Sequence, residues 1–170
     1  RAYVTSYGLD SLVVINTTTN KVLSTIPVAG NPAGVALQPG GRFAYVPSWD
    51  EDLVVVVDLT PKAIVKEIAV GVSPYDVVIS PNGKRAYTAN SGGRGASSVI
   101  DTTSRRVLAT PTVAGEPVDL AVSPDGKRLY VANMERNTVS ILNTSSNAIV
   151  GTIRVGRTPD NLALSPDGTR

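Results

Sequence analysis

At 170 residues the chain is long enough to bury a core, and 42% apolar with 18% charged residues is the balance of a folded rather than a disordered protein. Sixteen Lys and Arg against fourteen Asp and Glu leave a net +2, scattered along the chain, which argues against nucleic-acid binding. Cysteine and histidine are both absent, which removes disulfides, thiolate metal sites, the commonest transition-metal ligands and the commonest general base.

β-Branched runs cut by turn residues dominate, and no helical apolar stripe persists, so the predicted elements are strands. The chain opens in a strand around Tyr3 (type B) and passes a loop at Ser6 to Asp10. It enters strand C at Leu12 to Asn16 and returns as strand D at Val22 to Val28. The proline-bounded segment Pro32-Ala-Gly-Val-Ala-Leu-Gln-Pro39 then supplies strand A. It ends in Pro39-Gly40-Gly41, where proline presets φ and glycine accepts the positive φ of a tight turn. The same succession recurs. Strand B is repeated at Arg85 to Ala89 and Arg128 to Ala132. Strand C is repeated at Leu53 to Asp58, Ser97 to Asp101 and Thr138 to Asn143, and D at Ile64 to Val70, Val107 to Val113 and Ile149 to Val155. Leu53 to Val57, the longest apolar run, has charged residues close on both sides and is far too short to span a membrane. Strand A recurs in the segments opening at Pro74, Pro117 and Pro159, for example Asp119 to Ser123 and Asn161 to Ser165. Its nearly continuous apolar character predicts burial on both faces.

The opening prolines Pro32, Pro74, Pro117 and Pro159 lie 42, 43 and 42 positions apart, and Tyr3, Tyr45, Tyr87 and Tyr130 keep the same period. Each C strand stops on Asn or Asp followed by Thr or Ser, residues whose side chains close a hairpin on the neighbouring backbone. Pro27 and Pro111 place D on an outer edge, where a missing N–H is tolerated. Four repeats, about 1–42, 43–84, 85–127 and 128–170, thus form one domain of four-stranded antiparallel blades. A single blade cannot bury both its faces, so the blades stack radially as an all-β propeller. The order B, C, D, A leaves the first blade without A and the last A strand without B. Three arrangements follow: a closed four-bladed ring, a homodimer closing blades between chains, or part of a longer, seven-bladed propeller.

The runs Tyr3 to Thr5 (Tyr-Val-Thr), Tyr130 to Asn133 (Tyr-Val-Ala-Asn), Ser123 to Arg128 (Ser-Pro-Asp-Gly-Lys-Arg) and Val99 to Asp101 (Val-Ile-Asp) resemble the YVTN family of β-propeller repeats along the whole chain. That resemblance implies a bacterial or archaeal, surface-layer-like protein outside the cytoplasm. Lactonase-like and lyase-like enzymes are among the relatives it brings in. It is specific for fold and not for activity.

In such propellers the B to C and D to A connections share one rim, around a channel lined by the A strands, and function concentrates on such loops. Trp49, beside Asp50, Glu51 and Asp52, reads either as an aromatic binding anchor or as a packing residue against the next blade. Gly34, Asp76, Asp119 and Asn161 share one repeat position and form a ring at the channel mouth, with Tyr75, Glu116, Arg157 and Asp160 close by and Arg136 on a B to C loop. The ring either holds a polar ligand or cation, or bonds free backbone groups where the chain enters strand A. The stretch from Gly92 to Gly95, including Arg94, lacks the Lys-Ser/Thr and helix that a phosphate loop needs. The leading expectation is a non-catalytic scaffold with no cofactor or metal, whose rim binds a protein, polysaccharide or small ligand. The alternative is a lactonase- or lyase-like enzyme with a metal on Asp76, Asp119 and Asn161.

Overall fold

The computed structural model describes residues 1–28, 30–93 and 95–168; Arg94 lies outside the described residues. The chain is all-β. The first sheet holds β1 (Ala2–Ser6), β2 (Ser11–Asn16) and β3 (Lys21–Pro27). The second holds β4 (Ala36–Leu37), β5 (Phe43–Ser48), β6 (Leu53–Asp58) and β7 (Ala63–Ala69). The third holds β8 (Pro74–Ile79), β9 (Arg85–Asn90), β10 (Ala96–Asp101) and β11 (Arg106–Ala109). The fourth holds β12 (Pro117–Val122), β13 (Arg128–Asn133), β14 (Thr138–Asn143) and β15 (Ile149–Arg154). Neighbours pair antiparallel in chain order, so each complete sheet reads A, B, C, D with D outermost, as the prolines require.

Local chemistry repeats with the period. At every C strand end an Asx oxygen accepts the N–H two residues on: Asn16 from Thr18 (2.8 Å), Asp58 from Thr60 (3.0 Å), Asp101 from Thr103 (3.0 Å) and Asn143 from Ser145 (2.9 Å). At the A to B turns, Ser80 donates to Asn82 and Ser123 to Asp125. The following glycines, Gly83 and Gly126, sit at φ 70° and 72°. A bulge falls at one repeat position in all four C to D pairs, between Val14/Ile15, Val56/Val57, Val99/Ile100 and Ile141/Leu142, and increases the local twist.

Three apolar clusters form the core, one at each junction between consecutive sheets. Leu12, Val14 and Ile26 meet Val46, Val55 and Val57; Tyr45, Val54 and Val56 meet Val77, Ala86 and Ile100; Tyr87 and Val99 meet Leu120, Leu129, Val131 and Leu142. Successive residues of β6 therefore serve different junctions, and Val54 to Val57 are all buried. The strands buried on both faces are B and C rather than A. β8 and β12 are buried at only some positions, because the innermost strand has one paired neighbour and its free edge opens on the channel mouth.

Two strand expectations are corrected. The third D strand stops at Ala109 instead of running to Val113, since Pro111 has no N–H to give; its carbonyl still accepts from Ser97 (3.0 Å), and pairing resumes with the bridge Ala96 to Thr112 and the Val113 N–H to Gly95 O bond (3.1 Å). Asn161 to Ser165 forms no strand, because no B strand lies beside it. Among the described residues no pairing joins that segment to the free edge of β1. The outward face of the first sheet keeps Val4 47% exposed. On the fourth sheet Tyr130 is only half-buried, whereas Tyr45 and Tyr87, at the same repeat position, are 0% and 1% exposed. No helix among the described residues is long and apolar enough to cross a membrane.

Candidate functional site

Strand pairing carries three sets of equivalent residues to one end of the blades. The first is Gly34, Asp76, Asp119 and Asn161, two residues after each opening proline. The second is Ala33, Tyr75, Val118 and Asp160, one residue earlier. The third is Tyr7, Trp49, Ser91 and Met134, in the B to C loops, each four residues beyond the repeating tyrosine. All twelve positions line one of two adjoining cavities, of about 530 Å³ and 260 Å³, which share Trp49, Tyr75 and Val118 as a common wall.

The larger cavity contains the whole Gly34, Asp76, Asp119 and Asn161 ring. Each carboxylate reaches forward to the next repeat: Asp76 Oδ2 accepts the Leu120 N–H (3.3 Å), and Asp119 Oδ2 accepts the Leu162 N–H (2.5 Å). This is the backbone-satisfying arrangement, and it orients both side chains. Gly34 leaves space the carboxylate uses, since a Cβ there would lie 2.8 Å from Asp76 Oδ1. The Asp76 and Asp119 side chains line the same cavity. Burial, then the neighbouring Asp119 charge, pushes the Asp76 carboxyl up to about 7. Near neutrality Asp76 therefore holds a proton that it can give up.

Trp49, half-buried, meets Tyr75 of the next sheet edge-on, with ring centroids 5.4 Å apart and planes at 74°. It thus packs between blades and presents a face to both cavities. Glu116 and Asp160 line the smaller cavity. The remaining candidates stand apart: Asp50 is exposed and takes a hydrogen bond from the Asn31 amide, and Arg136 and Arg157 are exposed outside both cavities. Among the described residues no three His, Cys, Asp or Glu side chains converge as metal ligands.

Sequence reasoning missed Thr5, Tyr7, Pro32, Ala33, Ser91, Val118 and Met134 in these walls. Two had a signal. Tyr7 occupies the repeat position of Trp49, and Thr5 breaks an otherwise apolar position held by Pro47, Ala89 and Ala132; its hydroxyl donates to Ala33 O (2.7 Å).

These features define a stack of β-propeller blades with a cavity at its inner mouth. No family model matches the chain, and no curated protein matches it. Among solved structures it is similar to Kuenenia stuttgartiensis hydrazine synthase, with a TM-score of 0.90 and 32% identity over 98% of this chain. The chain spans 49% of the length of the matched hydrazine synthase chain.

Proposed function

We propose that the chain is a non-catalytic propeller module that binds a ligand at the inner mouth of its blades. The carrying observation is that twelve residues from three repeat positions, brought from every sheet, line the two adjoining cavities around Trp49 and Tyr75. The absence of His and Cys from the sequence supports binding over catalysis. An extracytoplasmic setting and membership of the YVTN repeat family belong to the same reading, supported by the motif resemblance. Pairing of the free edge of β1 with an A strand, whether from this chain, a second copy or a longer chain, also belongs to it, supported by that unpaired edge.

A glycan array and pull-down with wild type, Trp49→Ala and Tyr75→Ala tests the reading. Binding lost in both variants, with melting unchanged, supports it; binding retained in both moves the site elsewhere. Metal analysis and melting with and without EDTA test the enzyme alternative on Asp76, Asp119 and Asn161. Bound metal with an EDTA-sensitive melt replaces the binding reading with that one.

A further inference from the structure

The two cavities differ from the rest of the molecule in charge. The chain as a whole carries +2, yet every charged residue lining either cavity is acidic: Asp76 and Asp119 in the larger, Glu116 and Asp160 in the smaller. No Lys or Arg lines them among the described residues. The rings of Trp49 and Tyr75 line both cavities, and Tyr7 also lines the larger one. A concave surface lined by one sign of charge concentrates counter-ions, and aromatic faces attract a cation whose hydration is weak. A metal ion would need a converging oxygen set. Asp76 and Asp119 each spend Oδ2 on a backbone N–H, and Trp49 and Tyr75 offer no strong ligand to a hard cation. An alkylated ammonium uses both kinds of wall, its charge facing the carboxylates and its methyl groups the rings.

From this lining we infer that the mouth cavity selects a small organic ammonium ion, held by the Asp76 and Asp119 carboxylates against the Trp49, Tyr75 and Tyr7 rings. The inference rests on the binding reading above and names the ligand class for that site. Binding favours ionised Asp76 and so releases its proton. The titratable groups facing Asp76 are Asp119 from the fourth sheet, Tyr75 beside it and Tyr7 from the first; no cation stands among them.

Trp49 is the only tryptophan, so its fluorescence reports on this wall alone. Choline is titrated at constant ionic strength beside 3,3-dimethylbutan-1-ol, its uncharged isostere, and a neutral oligosaccharide. The expected result is saturable quenching by choline, at least about tenfold weaker for the alcohol, and severalfold tighter at pH 8.5 than at pH 5.5. Asp119→Asn keeps an oxygen for the Leu162 N–H and should weaken choline about tenfold while melting normally; Glu67→Gln, on an outer strand, should leave it unchanged. Equal binding of choline and the alcohol overturns the inference, as does choline binding that survives in both Asp119→Asn and Asp76→Asn. Trp49-dependent binding of the oligosaccharide without choline binding overturns the ammonium class and leaves the binding module standing. Silence from all three probes removes this inference, while the array and pull-down still decide the broader reading.

Discussion

Asp76 shows how one repeat position can serve both packing and chemistry. Its carboxyl titrates near 7 in the folded chain and near 4 in an unfolded one, so between those values the folded state holds the extra proton. Stability from this group is greatest at low pH, falls as pH rises through the window from about 4 to about 7, and is flat above it. Asp76→Asn keeps an acceptor for the Leu120 N–H and cannot ionise. The variant should match wild type near pH 4 and melt several degrees higher at pH 8; an identical pH profile for the two proteins in thermal scans would refute the assignment. The ring itself was legible in the sequence, because four equivalent positions were polar or glycine. The raised titration of Asp76 was not, since it depends on burial and on the distance between two strands in neighbouring sheets. Arg136 and Arg157 were chosen from loop membership alone, and a loop residue can point away from the mouth as readily as toward it.

At the scale of the strand, the period-2 alternation of B and C assigns successive residues to different junctions. The fold was readable because β-branched runs recur with the same turns four times. What failed was any strand whose existence depends on a partner. Asn161 to Ser165 has the residues of β8 and β12 and forms no strand without a B neighbour, while Pro111 cuts short a D strand whose composition continues. The same dependence gives a measurable contrast. Tyr87 is buried between the third and fourth sheets, and Tyr130, at the equivalent position, faces the uncovered side of the fourth. Tyr87→Ala should cost about 4 kcal/mol in urea unfolding, and Tyr130→Ala about 1 kcal/mol. Similar losses for the two would mean that something covers the fourth sheet in solution.

For the molecule as a whole, the two uncovered faces are the positions that every interior junction buries, and such faces promote association. In light scattering the wild type should rise above 17.7 kDa as concentration increases, whereas Val4→Lys, which puts a charge on the outward face of the first sheet, should hold at that mass. A wild type that stays at 17.7 kDa throughout would count against docking between copies. The forward bonds of Asp76 and Asp119 carry one more consequence, for the lengths such a chain can have. The third blade brings the acceptor for its successor, and the fourth the donor for its predecessor and the acceptor for Leu162, like courses of tongue-and-groove boards, whereas Gly34 gives the second blade no such acceptor. Excising residues 77–119 would set Asp76 directly before Leu120 and leave an intact Pro-Tyr-Asp-Leu-Ala-Val-Ser-Pro strand, its own carboxylate poised toward Leu162. The joint survives loss of this whole period and not of a fraction of it, so a blade that carries the carboxylate is lost or gained only as a unit.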